Sequence, residues 1–272
     1  MPNEILTVKI AGGLGNQLFQ LAAAKSAGSD KLLIDLSCLT GSEREFELNP
    51  LQGSVNFEVS RIGKQSRLFT KKVKERNEFF WQKISISGKR NVVLSGYFQH
   101  PKYAMSVIRE VVEFVEKKSS IKNEPYCKCG QKHIALHIRR GDYLSVPRNK
   151  KNFGVLANEY FVSSISNFPE DTHFIAFSDS DIKNELKRIM APSIHLSFAD
   201  ADLKPWDLLS EMSCMDGIVI SNSSLSWWAA RVGMELSRGF RVVCPKIWFK
   251  EIPASQHLIL EEWEKLEPVW IR

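Results

Sequence analysis

The stretch His-Ile-Ala-Leu-His-Ile-Arg-Arg-Gly-Asp-Tyr, residues 133–143, decides the fold class of this 272-residue chain. Its first six residues are mainly apolar, which predicts a buried strand at His133–Ile138. In open α/β sheets, ligands bind beyond the carboxyl ends of parallel strands. The two arginines that follow suit a phosphate, because a guanidinium offers a planar fork of donors to phosphate oxygens. The stretch predicts a parallel α/β sheet with an anion site at Arg139 and with Asp142 orienting the ligand.

Outward from this stretch, short apolar runs alternate with longer amphipathic ones, the pattern of βα units. Strands are predicted near Leu6–Ala11, Lys31–Asp35, Val92–Gly96, His133–Ile138, His173–Ser178, Ile194–Ser197, Gly217–Ser221 and Arg241–Cys244. Helices are predicted near Asn16–Ala27, Lys102–Glu116, Glu159–Phe168, Asp181–Met190, Trp206–Met215 and Ser224–Leu236. The polar segment Lys117–Lys132 is the predicted linker, and Gly41–Arg90 carries no clear signal. We expect two α/β domains, residues 1–125 and residues 126–272.

A glycine-rich stretch, Ala-Gly-Gly-Leu-Gly-Asn-Gln-Leu-Phe-Gln at residues 11–20, lies where the first predicted strand meets the first predicted helix. Glycines let a backbone approach a ligand, and a helix N-terminus favours an anion. Its candidate ligand-binding residues are Gly13, Gly15, Asn16 and Gln17. The rival interpretation is a dinucleotide fingerprint with Asp35 on the ribose, although Leu18 replaces its third glycine.

Two more polar stretches follow predicted strands. Asp179 and Asp181 in Phe-Ser-Asp-Ser-Asp could hold a divalent metal on a diphosphate or could cap the next helix. Residues 221–226, Ser-Asn-Ser-Ser-Leu-Ser, offer neutral donors near a helix N-terminus, which suits a diphosphate. Trp227 and Trp228 behind them are predicted to pack in the core.

These stretches, in this order, resemble the bacterial α-1,2-fucosyltransferase family over residues 8–248. The motifs that carry the resemblance are Gly-Gly-Leu-Gly-Asn-Gln-Leu-Phe-Gln, His-Ile-Arg-Arg-Gly-Asp-Tyr, Phe-Ser-Asp and Ser-Asn-Ser-Ser-Leu-Ser-Trp-Trp-Ala-Ala. The resemblance implies two Rossmann-like domains facing across a cleft, a GT-B-like arrangement. It also implies inverting transfer of fucose from GDP-fucose to the 2-hydroxyl of a terminal β-galactose. The C-terminal domain would bind the donor, and the N-terminal domain with the glycine-rich loop would bind the acceptor.

The resemblance also assigns roles to individual residues. The expected catalytic residues are Arg139, Asp142, His137 and Asn16. The expected donor-binding residues are Gly13, Gly15, Asn16, Gln17, Arg139, Asp179, Asp207, Ser221, Asn222, Ser223, Ser224 and Ser226. Arg139 would hold the β-phosphate, and Asn16 would lie near the fucose. Asp179 and Asp207 would contact the ribose and the guanine. The general base stays open between Asp142 and His137. Leu225 and Ser180 depart from the family pattern, in which an aromatic residue and a second acid are common.

Composition and charge restrict the interpretation. Hydrophobic residues make up 43% of the chain, as in packed globular proteins. Five scattered cysteines argue against a disulfide framework, and a zinc site at Cys127, Cys129 and His133 lacks a second ligand pair. The net charge is +6, and basic residues cluster in Arg61–Arg76, which could contact anionic lipid or simply be a solvated surface. No nucleic-acid motif accompanies them, so no nucleic-acid partner is expected.

The sequence also carries expectations about location and cofactors. It shows neither a signal-peptide pattern nor a run approaching ~18 apolar residues. We expect a cytoplasmic protein, peripheral at the inner membrane of a bacterium, with a lipid-linked β-galactoside acceptor and no metal or other cofactor. Three alternatives stay open. They are a metal-dependent nucleotide-sugar transferase using Asp179 and Asp181, an NAD-dependent oxidoreductase, and a non-catalytic carbohydrate- or nucleotide-binding protein.

Overall fold

A computed structural model describes residues 5–29, 31–60, 70–75, 79–86, 91–122 and 130–271. The chain divides into two compact units, Met1–Val115 and Glu116–Arg272, and the division lies inside one helix. The predicted domain boundary at residues 125 and 126 lies outside the described residues. Each unit has its own parallel sheet, which confirms the predicted α/β class.

The first unit is built on a five-stranded parallel sheet in the order β3-β2-β1-β5-β4. Its elements are β1 (Ile5–Lys9), α1 (Leu14–Ser26), β2 (Lys31–Asp35), β3 (Phe57–Ser60), β4 (Thr70–Lys74), β5 (Asn91–Ser95), α2 (Pro101–Ala104) and α3 (Ile108–Lys122), whose end belongs to the second unit. The central strand β1 buries Leu6 and Val8 completely. Helix α1 is buried along most of its length, because its Leu, Phe and Ala side chains face the core on nearly every side.

The second unit is built on a six-stranded parallel sheet in the order β11-β10-β9-β6-β7-β8. Its elements are β6 (His133–Ile138), α4 (Gly141–Ser145), α5 (Pro147–Phe153), α6 (Asn158–Ile165), β7 (His173–Ser178), α7 (Lys183–Ile189), β8 (His195–Phe198), α8 (Pro205–Ser213), β9 (Gly217–Val219), α9 (Ser224–Leu236), β10 (Arg241–Pro245) and β11 (Glu264–Leu266). All six residues of β6 are buried. Its Ile134, Leu136 and Ile138 share one core with Tyr160 and Phe161 of α6.

Every predicted strand has a counterpart within a few residues, and two predictions need correction. The predicted helix Lys102–Glu116 is two helices, α2 and α3, with a turn at residues 105–107. The predicted linker Lys117–Lys132 begins as helix, since α3 continues to Lys122. Glutamate and lysine are good helix formers, so the polar run Glu-Lys-Lys at residues 116–118 extends the helix that it was expected to end.

Some sequence predictions fall partly or wholly outside the described residues. Of the basic stretch Arg61–Arg76, the structure describes residues 70–75. Cys127 and Cys129 of the weighed zinc site also lie outside. In the part of the chain that is described, no helix combines the length and the apolar character that crossing a bilayer requires.

Candidate functional site

The predicted anion site lies at the carboxyl ends of three neighbouring strands of the second unit. Strand β6 pairs in parallel with both β7 and β9. The segments that leave these strands therefore reach the same edge of the sheet. They are residues 139–143 after β6, residues 179–181 after β7 and residues 220–223 after β9.

Arg139 is held at this edge by two carboxylates. Its Nη1 donates to Asp179 Oδ2, and its Nη2 donates to Asp142 Oδ1. The guanidinium carbon lies 5.4 Å from the centre of the Tyr143 ring. The side chain keeps 18% of its surface exposed, and a guanidinium has five N–H donors. Arg139 is thus fixed in orientation and still has donors for an anion that arrives from solvent.

Asp179 organises the turn after β6. Its Oδ1 accepts the backbone N–H of Arg140 at 2.7 Å, while its Oδ2 accepts from Arg139. Gly141 has a φ of +21°, and a Cβ there would overlap the Asp179 carboxylate. Both oxygens of Asp179 therefore bind the protein itself, which makes it a positioning residue for Arg139. Its predicted contact with ribose stays a prediction.

Arg140 has a structural role, unlike its neighbour. It is 4% exposed, and its guanidinium donates to the Leu156 carbonyl and, at 2.8 Å, to Asn158 Oδ1. Burial lowers the pKa of Arg140, against the opposing effect of nearby carboxylates, led by Glu185. Of the two adjacent arginines that the sequence offered to a phosphate, Arg139 alone lies at the partly exposed edge.

His137 is buried at the end of β6. Its Nδ1 lies 3.0 Å from Ser221 Oγ, which links β6 to the segment after β9. Burial lowers the pKa of His137 to about 4, while Asp179 acts to raise it and Arg139 to lower it. The imidazole is neutral at neutral pH. With 6% exposure and so low a pKa, His137 is a weak proton acceptor for a substrate hydroxyl.

Asp142, the other general-base candidate, is more accessible. Its side chain is 41% exposed. Besides the Arg139 ion pair, its Oδ2 accepts from Asn149 Nδ2 at 3.4 Å. The structure therefore favours Asp142 over His137 for contact with a substrate, and it couples any change in the charge of Asp142 to Arg139.

The hydroxyl-rich residues 221–226 form the start of α9. Ser223 is the N-cap, and its hydroxyl makes no capping hydrogen bond to the helix. Asn222 Nδ2 donates to the Phe153 carbonyl at 2.9 Å, and Ser226 Oγ donates to the Ser223 carbonyl at 3.2 Å. Asn222 and Ser226 thus serve the structure, while Ser223 and Ser224 stand at the helix N-terminus, where backbone N–H groups favour an anion.

The two tryptophans of α9 belong to the core. Trp227 and Trp228 are fully buried, and Trp227 Nε1 donates to the Leu258 carbonyl at 2.7 Å. The prediction that they pack in the core is confirmed. They fix the first turn of α9 against the body of the unit.

A cavity of about 450 Å³ opens at the same edge, beside the ends of β7 and β8. Its lining includes Ser178, Asp179, Asp181, Lys183, Phe198 and Ala201. Small-molecule sites are commonly of this size or somewhat larger. The cavity adjoins Arg139 through Asp179, so it can accept the nucleoside end of a ligand whose phosphates lie at Arg139.

The carboxylates weighed for a metal have other partners. Asp181 Oδ1 accepts the backbone N–H of Lys183 at 3.1 Å, at the start of α7. Asp179 is bound to the turn after β6, as described above. Within the described residues, no group of three or more His, Cys, Asp or Glu side chains is placed to hold a metal ion. A metal bridging Asp179 and Asp181 would have to compete with these bonds.

Asp207 lies in the first turn of α8. It forms an ion pair with Lys118 of α3, with Nζ and Oδ1 2.9 Å apart. The structure thus gives Asp207 a partner that the sequence did not indicate. Its predicted contact with guanine stays a prediction.

In the first unit, the glycine-rich loop is shaped around Asn16. Gly12 has a φ of +75°, and a Cβ there would lie 2.5 Å from Asn16 Nδ2. Asn16 Oδ1 accepts from Gln99 Nε2 at 2.6 Å. Gln99 follows β5 and was not among the predicted residues, because nothing in the sequence pairs it with a loop more than eighty positions earlier. This bond fixes the orientation of the Asn16 side-chain amide, with Oδ1 towards Gln99 and Nδ2 towards Gly12.

Gln17 supports the loop from behind. It is fully buried, its Nε2 donates to the carbonyls of Gly12 and Glu45, and its Oε1 accepts the N–H of Glu47 at 2.9 Å. The structure gives Gln17 this structural role, and its predicted contact with the donor stays a prediction. Gly13 is the N-cap of α1, where a Cβ would lie 3.9 Å from Arg44 Nη1, and Gly15 is buried in the first turn.

Asp35, the ribose-binding acid of the dinucleotide interpretation, is 6% exposed at the end of β2. Its Oδ1 accepts the backbone N–H of Ser37 at 2.7 Å. Asp35 therefore closes a turn. The structure offers no support for the dinucleotide reading beyond the glycines themselves.

Two curated proteins of Escherichia coli are similar to the chain. One is an α-1,2-colitosyltransferase, 28% identical over an alignment of 293 positions that covers 97% of this chain and 99% of the relative. The other is the O-antigen biosynthesis glycosyltransferase WbnK, 26% identical over 307 positions that cover 94% of this chain and 99% of the relative.

Two solved structures with a similar fold are fucosyltransferases. POFUT1 in complex with GDP-fucose has a TM-score of 0.50 at 14% identity, over 89% of this chain and 98% of that structure. The NodZ α-1,6-fucosyltransferase co-crystallised with GDP has a TM-score of 0.50 at 12% identity, over 84% and 92%. These likenesses confirm the predicted GT-B-like fold.

The family is shown by sequence. The model of the family described as glycosyl transferase family 11 matches residues 4–267, nearly the whole chain. This match confirms the resemblance that the glycine-rich loop and the Arg139 motif indicated. The chain belongs to glycosyl transferase family 11.

Proposed function

We propose that this protein transfers fucose from GDP-fucose to the 2-hydroxyl of a terminal β-galactose, with inversion and without a metal ion. The observation that carries the proposal is Arg139, held between Asp179 and Asp142 at the edge where α9 begins. The arginine and the helix N-terminus are two independent anion-binding features of one sheet edge. The family membership and the fucosyltransferase-like fold support the choice of a sugar nucleotide as the anion.

In this mechanism, negative charge grows on GDP as the bond from fucose to the β-phosphate breaks. Arg139 and the first turn of α9 would stabilise that charge, and one well-placed donor contributes about 3 kcal/mol to such a transition state. The nucleoside would occupy the cavity beside β7 and β8. Asp142 would accept the proton of the acceptor hydroxyl, and Asn16 of the first unit would contact the fucose.

A second candidate differs only in the sugar. The relative at 28% identity is named an α-1,2-colitosyltransferase. Colitose is fucose without its 3-hydroxyl group, so a site for one sugar needs little change to take the other. We keep colitosyl transfer as the second candidate function.

We further propose a role in the synthesis of a bacterial surface glycan, on a lipid-linked acceptor at the cytoplasmic face of the inner membrane. The support is the O-antigen function that the name of the relative WbnK states. Nucleic acid is not among the proposed partners.

The test is a transfer assay with GDP-fucose and GDP-colitose, using lactose and related β-galactosides, in excess EDTA, with the product linkage determined by NMR. An α-1,2-fucosylated product formed in EDTA supports the proposal. Activity lost in EDTA and restored by Mn²⁺ would favour the metal-dependent alternative instead. Binding of GDP-fucose with neither transfer nor hydrolysis would favour a non-catalytic protein, and tight NADH binding would favour an oxidoreductase.

A further inference from the structure

Four large apolar side chains of the first unit are exposed. Phe80 is 47% exposed, Trp81 45%, Tyr97 42% and Met105 61%, and they are the large apolar side chains that the described part of this unit leaves most exposed. Single exposed apolar residues are normal on a soluble protein, whereas a group of them marks an interaction surface. We name these four residues the aromatic surface.

Several contacts join the segments that carry the aromatic surface. Lys102 Nζ lies 5.0 Å from the centre of the Trp81 ring. The backbone of Gln82 is tied to Tyr103 of α2, since Gln82 N donates to the tyrosine oxygen at 3.1 Å and its carbonyl accepts from it at 2.7 Å. Trp81 and Gln82 therefore lie against α2, Phe80 directly precedes them, and Met105 directly follows this helix.

The third segment is attached at the ends of two paired strands. Tyr97 N donates to Glu75 Oε2 at 2.8 Å, which joins the residue after β4 to the segment after β5. That segment continues through Phe98, whose ring lies 6.0 Å from the Tyr103 ring, into α2. Tyr97 thus belongs to the same region as Trp81 and Met105.

The described segments that carry or adjoin the aromatic surface have a net positive charge. Described residues 70–75, 79–86 and 97–105 contain one carboxylate, Glu75, and the lysines Lys71, Lys72, Lys74, Lys83 and Lys102. All five lysines are exposed. Lysines on the edge strand β4 also discourage pairing with other chains, but that function does not require exposed aromatic side chains.

We propose that the aromatic surface docks on an anionic lipid bilayer. Tryptophan and tyrosine prefer the level of the lipid headgroups, and phenylalanine and methionine can enter the adjoining acyl region. Lysines beside them pair with anionic headgroups. The charge of the five lysines selects this occupant, since they complement an anionic surface. The proposal rests on the membrane location given under the proposed function and names the surface that contacts the lipid, while its test depends on neither the donor nor the acceptor.

The experiment measures co-sedimentation of the full chain with vesicles of phosphatidylcholine alone and with vesicles containing about 30% phosphatidylglycerol, an anionic lipid. The wild-type protein should bind the anionic vesicles and bind the neutral ones at least about tenfold more weakly. Phe80→Ser with Trp81→Ser should weaken binding about tenfold or more, because the apolar contact is lost. Neutralising Lys71, Lys72 and Lys74 with glutamine should weaken it about fivefold per lysine.

Matched controls separate a specific surface from general attraction by a basic protein. Ile189→Ser removes an exposed apolar side chain of the second unit, and glutamine at Lys132, Lys187 and Lys265 removes the same charge there. These controls should bind as the wild type does. The proposal is overturned if the wild-type protein stays in solution with anionic vesicles, or if the controls lose as much binding as the surface variants. It is also overturned if the wild type is a dimer that the Phe80 and Trp81 substitutions dissociate, since the surface would then bind a second copy. Transfer to soluble lactose is measured in parallel, and its absence bears on the proposed function alone.

Discussion

Arg139 and Arg140 are adjacent in the chain and have different partners. Substitution of Arg139 should therefore affect binding of the anion, and substitution of Arg140 should affect the stability of the fold. Arg139→Ala should lower kcat/KM for transfer by at least about 100-fold, because it removes the fixed charge at the leaving group. Its side chain is held by two carboxylates at a partly exposed edge. We therefore expect little change in the unfolding midpoint. Transfer kinetics and denaturant unfolding of the same variant check both statements.

Arg140→Ala should have the opposite profile. Its buried guanidinium satisfies the Leu156 carbonyl and Asn158, so truncation leaves a void and unpaired polar groups. The expected loss is about 2–4 kcal/mol in the free energy of unfolding. An Arg140→Ala protein as stable as the wild type, or an Arg139→Ala protein with near-normal activity, would contradict the assignment of roles to the two arginines.

The sequence predicted an anion site at the arginine pair, because a guanidinium offers a planar fork of donors to phosphate oxygens. It could not separate the pair, since burial of Arg140 depends on Leu156 and Asn158, which follow two short helices that the sequence did not indicate. The same limit applies to Gln17 and Asp179. Both were predicted to contact the donor, and their partners in the structure include backbone groups that only the folded chain brings within reach.

The hydrogen bond from the Gln99 side chain to Asn16 leads to a prediction about a single amide group. Its Nε2 donates to Asn16 Oδ1, so a glutamate at this position can replace the bond only when it is protonated. For Gln99→Glu we expect transfer activity to rise as pH falls through the pKa of the new carboxyl group, relative to the wild type. Gln99→Ala should lower kcat about tenfold without that pH dependence. Matching pH profiles of Gln99→Glu and the wild type would show that this bond does not position Asn16.

At the scale of elements, the turn between β6 and α4 depends on Gly141. Gly141→Ala introduces a Cβ that overlaps the Asp179 carboxylate, at a φ of +21° that L side chains rarely adopt. The turn must shift, and Arg139 loses its place between two carboxylates. We expect kcat/KM to fall about tenfold or more and the free energy of unfolding to fall by about 1–3 kcal/mol. Gly239→Ala is the matched control, because a Cβ there meets open space; equal effects of the two substitutions would rule out this account.

The elements that the sequence predicted well are those in which the pattern of apolar residues indicates burial directly. Strand β6 is mainly apolar and is buried along its length, and helices α1 and α9 have apolar residues at most of their buried positions. The strands that were missed are β3 and β4, the outer strands of the first sheet, and β11, an outer strand of the second. An outer strand has one neighbour, so its sequence can be polar, as Thr-Lys-Lys-Val-Lys in β4 is.

At the scale of the whole molecule, the two units divide the candidate chemistry. The second unit contains the Arg139 turn, the start of α9 and the nucleoside-sized cavity, all on one sheet edge. The first unit contains the Asn16 loop and the aromatic surface. The order of the motifs along the chain predicted that the glycine-rich loop lies apart from the other motifs, because each motif follows a strand and parallel strands of one sheet end at a common edge. No motif of the sequence indicated the aromatic surface.

The stability of the whole molecule should depend on pH through His137. Burial holds the pKa of His137 at about 4 in the folded chain, against about 6.5 when unfolded. Between these values the unfolded chain binds the additional proton, so stability rises with pH; the contribution is complete above pH 6.5 and is lost as pH falls towards 4. The expected loss is about 3 kcal/mol of unfolding free energy.

Denaturant titrations at several pH values, on the wild type and on His137→Gln, isolate this contribution. Glutamine keeps a hydrogen-bonding group for Ser221 and cannot take up a proton in this range. Burial, with His133 and His195, also lowers the pKa of His173, so the variant should keep part of the dependence on pH. The difference in the free energy of unfolding between the two proteins should shrink steadily from pH 7 to pH 4, because acid destabilises the wild type more than the variant. A difference that stays constant over this range would show that His137 does not remain neutral in the folded chain.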